Sequence, residues 1–361
     1  MSRIRVAILG TSFGRQVQAV GFQRHPGCEL VAIAGSDAAK TTRIAEELGI
    51  PHAFDDWRRL LDEAACEVVS VATPVDLHHP MVMAALERGR HVLCEKPTAL
   101  HRFQAAEMRD AARRAGLVAG MNHEFRFLPA RRAAVERVRS GDIGVPRRVE
   151  ILGRYPIWDR PESRAMTWLS DAARGGGILG ALGSHHTDCV RTLLGEPRAV
   201  TASVRVSQPG RGPTATRPES GIATADDACT LMLECDGGAT ALIDLDATSP
   251  YRWERYEVHG SEGSLRWAEG GATLWRLVAG REPEPLSIPD AMTLTPREGD
   301  PALVAPFGVV VDRLHAAITR GETMEPSLDD GVAVQSVIDA ARESSEAGSR
   351  IAVEIPRPVV A

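Results

Sequence analysis

The feature that most narrows what this chain can fold into is the alternation of short apolar runs with helical stretches over its first third. Residues 4–9 (Ile4, Arg5, Val6, Ala7, Ile8, Leu9) form a nearly continuous apolar run, as in a parallel strand covered on both faces. A helical stretch runs from Arg15 toward Arg24, and Pro26 and Gly27 break it. A second strand, 29–34, ends at Gly35, Ser36 and Asp37. Residues 38–48 then place Ile44, Ala45 and Leu48 on one helical face, with Gly49 as the stop. The pattern repeats as a strand at 68–72, a helix at 81–88 closed by Gly89, and a strand at 91–94. A helix at 102–115 closed by Gly116 and a strand at 117–121 complete it. Strands and helices at this spacing predict right-handed βαβ units, hence an α/β doubly wound parallel sheet.

In such a sheet ligands sit outside the carboxyl ends of the strands, and those ends carry the informative residues. Gly10, Thr11, Ser12, Phe13 and Gly14 occupy the first strand–helix turn. A dinucleotide fingerprint wants Gly-x-Gly-x-x-Gly there, so that the backbone approaches a pyrophosphate at a helix N-terminus. Here the three positions read Gly10, Ser12 and Arg15, with an extra glycine at Gly14. An acidic residue ending the second strand would bond the ribose 2′-hydroxyl of NAD. Gly35 and Ser36 with Lys40 nearby suit the 2′-phosphate of NADP, while Asp37 suits NAD; the balance favours NADP. Later strand ends add Thr73 and Pro74, with His78 beyond them placed to contact a nicotinamide ribose or to cap a helix, and then Glu95, Lys96 and Pro97. The chain has forty arginines and two lysines, Lys40 and Lys96. A lysine in so arginine-rich a chain suggests work for a compact, tunable ammonium.

Composition limits the remaining options. Net charge is -6, so no general attraction to nucleic acid or an anionic membrane is expected. The six cysteines contain no Cys-x-x-Cys pair, which argues against a zinc or redox motif and fits a reducing compartment. No apolar run approaches the ~20 residues of a membrane span. The start, Met1 to Arg5, passes directly into a strand rather than a signal peptide. The expectation is a cytoplasmic protein of two domains.

Taken in order, these motifs resemble the glucose–fructose oxidoreductase / inositol dehydrogenase (Gfo/Idh/MocA) family. Residues 89–97, from Gly89 to Pro97, look like its "GKHVxxEKP", with Arg90 for the first lysine. Gly175, Gly176, Gly177 and Leu179, followed by Gly183, His185 and Asp188, look like its "GGGxLxDxGxHxxD". Pro326 to Gly331 and the run Val337 to Ala341 resemble its closing helix. The resemblance implies a Rossmann domain over 1–122 and a C-terminal α/β domain over 123–361. The second domain would have a large, mostly antiparallel sheet that mediates homo-dimers or homo-tetramers, and the C-terminal tail would pack back on the first. It further implies hydride transfer between NAD(P) and a sugar, cyclitol or related polyol, and a cis Lys96–Pro97 bond. The second half fits, with a helical run at 130–139 and strands near 147–154, 198–206, 227–235, 239–246, 254–259 and 263–267. Residues 207–221 read as an exposed loop, 279–301 as turn-rich, and helices follow at 305–320 and 328–347.

By its match to the family motif, Lys96 would bond the reacting hydroxyl, and His185 would be the acid/base histidine. The family's aspartate four residues before that histidine is Ala181 here. Either Asp188, one turn on (i, i+3), orients the imidazole, or Lys96 carries more of the proton transfer. A metal site at His185, His186 and Asp188 is not expected, since adjacent histidines face different sides of a helix and no further ligand pair is evident. Arg126, Tyr155, Arg160, Trp168 and Asp188 are candidate substrate contacts, arginine and aromatics being suited to a polyol. Two alternatives stand beside the dehydrogenase. One is a non-catalytic NAD(P)-binding regulator or scaffold; the other is a reductase of a non-sugar carbonyl on the same fold.

Overall fold

A computed structural model of the chain describes residues 3–160, 165–213, 220–268, 273–294 and 297–359. Residues 214–219 of the loop expected at 207–221, and 295–296 of the turn-rich segment, lie outside these. The chain divides into two compact units. One comprises Met1–Glu124, Thr295–Val332 and Pro356–Ala361, the other Phe125–Leu294 and Ala333–Ile355.

The first unit is built on a six-stranded parallel sheet. In chain order its elements are β1 (Ile4–Leu9), a π-helical turn (Gly14–Ala19) running into α1 (Val20–Arg24), β2 (Cys28–Ala34), α2 (Ala38–Leu48), β3 (His52–Phe54) and α3 (Trp57–Glu63). Then come β4 (Val68–Val71), α4 (His78–Glu87), β5 (His91–Cys94), α5 (Arg102–Ala115) and β6 (Ala119–Met121). The strand order is β3-β2-β1-β4-β5-β6, with every pairing parallel. The order in which strands are laid down therefore reverses between β1 and β4, and a ligand crevice opens at such a switch point. The central strands are apolar because both faces are covered: Val6, Ala7, Ile8, Val69, Val71, Val92 and Leu93 are wholly buried. Helix ends follow local chemistry. The Asp37 carboxylate accepts from the Lys40 N–H (2.9 Å) at the start of α2, and Asp56 accepts from Arg58 N–H (2.6 Å) at the start of α3. The short, exposed β3 and the helix α3 were not anticipated from the sequence, although Asp56 is a readable cap.

The second unit carries α6 (Pro129–Arg139), β7 (Pro146–Pro156), α7 (Ser184–Leu194), β8 (Pro197–Arg205) and a two-strand ribbon, β9 (Gly210–Arg211) with β10 (Gly221–Ile222). Strands β11 (Ala228–Cys235), β12 (Thr240–Asp246), β13 (Thr248–Gly260), β14 (Ser264–Trp267), β15 (Leu274–Leu277) and β16 (Glu284–Leu286) follow. Its large sheet has the order β16-β15-β14-β13-β7-β12-β11-β8-β17, where β17 is Ile351–Ala352. It is antiparallel except for the β7–β12 pair. One face is the core: Val149 and Ile151 of β7, Leu231 and Leu233 of β11, and Ile243 and Leu245 of β12 pack with Val190 and Leu193 of α7. A register row on the other face reads Met232, Leu242, Glu150, Glu257, Arg266 and Trp275. Two elements remain, α8 (Val304–Arg320) and α9 (Leu328–Ala347).

Helix α8 belongs to the first unit, where Phe307 meets Phe22 of α1 edge to face at 5.4 Å between centroids. Arg24 pairs with Asp300, and Arg109 of α5 donates to the carbonyl oxygen of Pro356 (2.8 Å). That unit is thus discontinuous, whereas the sequence expectation cut the chain at 122/123 and returned only the C-terminal tail to the first domain. Among the described residues no helix is long and apolar enough to cross a membrane.

Candidate functional site

At the carboxyl end of β1, Gly10 adopts φ 123°. A Cβ there would sit 2.1 Å from the Ala72 carbonyl oxygen, so only glycine lets the turn pass under the end of β4. Thr11, Ser12, Phe13 and Gly14 lead into the π-helical turn, whose N-terminus has no side-chain cap. No side chain thus covers the start of that turn, the position at which a pyrophosphate meets a helix N-terminus in such a fold. Past β2, Ser36, Asp37 and Lys40 are exposed. Gly35 lacks a side chain because its Cβ would lie 2.5 Å from Thr11 Cγ2 and 2.7 Å from Thr41 Oγ1. The strand end therefore carries no acid, and the Asp37 carboxylate caps α2. These residues fit a dinucleotide.

At the ends of β4 and β5 the structure departs from one expectation. His78 is fully buried, its Nδ1 3.0 Å from the Pro97 carbonyl oxygen and its Nε2 2.9 Å from that of Thr73. Burial pushes its imidazole below the ordinary value. With both ring nitrogens against backbone carbonyls, His78 ties the Thr73–Pro74 turn to the Lys96–Pro97 turn rather than meeting a ribose. Thr73 Oγ1 lies 3.5 Å from Met81 Sδ. The Lys96–Pro97 bond is cis.

Glu95 turns inward. It accepts hydrogen bonds from Gln18 Nε2 (2.8 Å), Asn122 Nδ2 (2.6 Å) and the Lys96 N–H (3.3 Å). Gln18 Oε1 in turn accepts from Ser70 Oγ at 2.9 Å. Burial pushes the Glu95 carboxyl up, against the Lys96 charge and the two amides, which pull it down. Glu95 was expected at the cofactor, and its carboxylate instead fastens the base of the Lys96 turn. Lys96 itself is half-buried. The sequence reasoning missed Gln18 and Asn122. Asn122 directly follows β6 and was open to the same strand-end argument; Gln18 offered no signal beyond being a polar residue on a buried helical face.

The second unit holds the other candidates. Gly177 adopts φ 106°, and a Cβ there would fall 2.1 Å from Asp226 Oδ1. The Asp226 carboxylate accepts from the Leu179 N–H (2.7 Å), anchoring a π-helical turn (Leu179–Gly183) that runs into α7. His185 sits in the first turn of α7 and is 1% exposed. Its ring stacks on Phe125 with centroids 3.9 Å apart and planes 5° apart. Arg131 Nη1 donates to the His185 carbonyl oxygen (3.1 Å).

The Asp188 carboxylate is taken by Arg126, with Nε donating to Oδ2 at 3.0 Å and Nη2 to Oδ1, and Arg191 lies 3.7 Å away. Arg126 and Asp188, both expected at substrate, are thus engaged with each other. Tyr155, also expected there, is buried in the core with its hydroxyl 3.3 Å from His186 Nε2. Arg160 is exposed and paired with Asp159 (3.2 Å). Trp168 is half-buried in a short 3₁₀ turn, Trp168–Ser170. Phe125 and Arg131 were not singled out from the sequence, which carries no mark of a stack between residues 60 positions apart.

Residues 4–123 match the model of an oxidoreductase family with an NAD-binding Rossmann fold, Gfo/Idh/MocA. Residues 131–266 match the C-terminal domain of the same family. The chain belongs to the Gfo/Idh/MocA family. Its relatives in that family include D-xylose 1-dehydrogenase (NADP(+)) 2 of Haloferax volcanii, 28% identical over 90% of this chain and 92% of that protein. Levoglucosan dehydrogenase of Pseudarthrobacter phenanthrenivorans is 26% identical over 73% of each, and scyllo-inositol 2-dehydrogenase (NAD(+)) of Bacillus subtilis is 28% identical over 66% of each. Among solved structures, an oxidoreductase domain protein from Kribbella flavida superposes with a TM-score of 0.89 at 27% identity, covering 98% of this chain and 100% of that one. A levoglucosan dehydrogenase in complex with NADH and L-sorbose matches with a TM-score of 0.89 at 24% identity, covering 99% and 100%; at that identity the likeness speaks to fold. As a Gfo/Idh/MocA protein the chain is an oxidoreductase with an NAD-binding Rossmann domain.

Proposed function

We propose that this protein is an NAD(P)-dependent dehydrogenase that moves a hydride between a nicotinamide cofactor and a secondary alcohol or ketone of a sugar, cyclitol or related polyol. The observation that carries the proposal is Lys96, half-buried at the carboxyl end of β5, in a turn fastened by Glu95, Gln18, Asn122 and His78. Relatives named for levoglucosan, scyllo-inositol and D-xylose supply the substrate class.

A bound nicotinamide supplies or accepts the hydride. The remaining work belongs to side chains. Lys96 donates to the reacting oxygen, where negative charge grows as the hydroxyl proton leaves. His185, screened from bulk water, takes that proton in oxidation and returns it in reduction. Ala181 leaves no carboxylate four residues before His185, so Lys96 bears more of the charge at the reacting oxygen. Gly35 and the engaged Asp37 remove the acid that would repel a 2′-phosphate, and exposed Ser36 and Lys40 offer it donors, which favours NADP. The large sheet is proposed to pair with a second copy through the face bearing Met232 and Trp275.

The test is a panel of levoglucosan, scyllo-inositol and D-xylose with NAD and NADP, followed at the nicotinamide absorbance. Lys96→Met should lower turnover by at least about two orders of magnitude, the scale of a lost oxyanion donor, while cofactor still binds. Unchanged turnover in that variant would remove Lys96 from the chemistry. Cofactor binding with no turnover of any ring polyol would favour the regulator or scaffold instead.

A further inference from the structure

The Phe125–His185 pair is an unusual contact. Neutral aromatic rings avoid face-to-face stacking because their quadrupoles repel, and they settle offset or edge-to-face with centroids about 4.5–7 Å apart. Here the centroids are 3.9 Å apart and the planes 5° from parallel. Such a stack becomes favourable when one ring carries positive charge, since a cation is attracted to the negative face of a phenyl ring. The other Phe125 contacts keep the platform in place. The Arg131 guanidinium is 5.7 Å from the Phe125 centroid and 5.4 Å from that of Tyr256. Arg131 is 1% exposed, and its Nη1 holds the His185 carbonyl oxygen. Backbone and ring of His185 are thus gripped from the same short stretch, Phe125 and the start of α6, all within the second unit.

We propose that Phe125 is a positioning residue for His185, a flat platform that sets the plane of the imidazole and stabilises that ring once it has taken the proton of the substrate hydroxyl. The family pattern supports the histidine with a carboxylate, and this chain has Ala181 at that position. The phenyl face gives the ring a support that carries no charge of its own. The inference rests on His185 being the proton-transfer group.

The experiment compares Phe125→Leu, Phe125→Tyr, His185→Gln and the Phe125→Leu/His185→Gln double variant, using whichever of levoglucosan, scyllo-inositol or D-xylose the native enzyme turns over fastest. Phe125→Leu should lower kcat about tenfold, within the range of one cation–π contact, with cofactor KM changed less than about twofold. Phe125→Tyr keeps the face and should stay within about threefold of native. The double variant should be no slower than His185→Gln, as expected when one residue acts only through the other. The stack is also read without substrate. The His185 ring-proton resonances, assigned by their loss in His185→Gln, should lie upfield in the native protein through the phenyl ring current and move downfield in Phe125→Leu. Full turnover in His185→Gln would sink the acid/base role itself. A dead His185→Gln beside a native-like Phe125→Leu would sink the positioning role alone. Unshifted ring protons in the native protein would overturn the stack, whatever the kinetics of the Phe125 variants.

Discussion

Ser36, Asp37 and Lys40 illustrate how much a single strand end decides. Asp37 is an acid just past the strand end where NAD enzymes keep one, and its carboxylate faces the N–H of Lys40 and is spent on starting α2. That leaves Ser36 and Lys40, both exposed, to meet whatever the ribose carries. Ser36→Asp puts a charge against a 2′-phosphate, and Lys40→Ala removes one that attracts it. Each should weaken NADP binding about tenfold, or about 1.4 kcal/mol, and leave NAD within about threefold. Fluorescence titration with both cofactors checks this, and equal losses for the two would remove the NADP preference. Other residues were legible by type but not by partner. Asp188 stands three residues after His185, and helical spacing made it one of two candidates to support the histidine. The structure pairs it with Arg126, 62 positions earlier, a partner that spacing cannot reveal. Tyr155 was named a candidate substrate contact from its chemistry, while the alternation along β7 turns it inward to His186.

The regular elements mostly followed from periodicity where burial was two-sided, while the capped helix α3 did not. Those central to the parallel sheet are within a few residues of expectation, because continuous apolar runs leave little choice of register. What escaped were short edge strands such as β3 and β16, in which no residue is fully buried, and the early start of β13 at Thr248. One contact at element scale has a pH signature. The Glu67 carboxylate, just before β4, accepts from the N–H of Arg5 (3.0 Å) and from its Nε (3.3 Å) in β1. The Arg5 backbone N–H, despite some burial, holds that carboxyl below its usual range, helped by the guanidinium. A carboxyl lowered in the folded state adds stability above its unfolded value of about 4.3. That contribution is lost as pH falls through the folded value. Half-exposed, the pair is worth less than about 1 kcal/mol. Denaturant midpoints between about pH 3 and 5 should fall less steeply in Glu67→Gln than in the native protein, and parallel curves would rule the contact out.

At the scale of the molecule, the uncovered face of the large sheet places Met232 at 59% and Trp275 at 38% exposure on one register row, with the Glu257–Arg266 pair between them. An apolar row broken by charges suits a face that meets its own copy. Met232→Lys should shift the protein toward monomer in sedimentation velocity at micromolar concentration, and an unchanged distribution would place any self-contact elsewhere. A different consequence follows from the way the chain is shared out. It changes unit four times, after Glu124, Leu294, Val332 and Ile355. Phe22 therefore waits for Phe307, and Arg109 waits for the carbonyl of Pro356, 247 residues further on. A ribosome emits the parallel sheet well before the helix that covers α1, with most of the second unit in between. Over that interval the nascent protein carries a finished sheet with one open apolar flank, a natural target for a chaperone during the time the second unit takes to emerge.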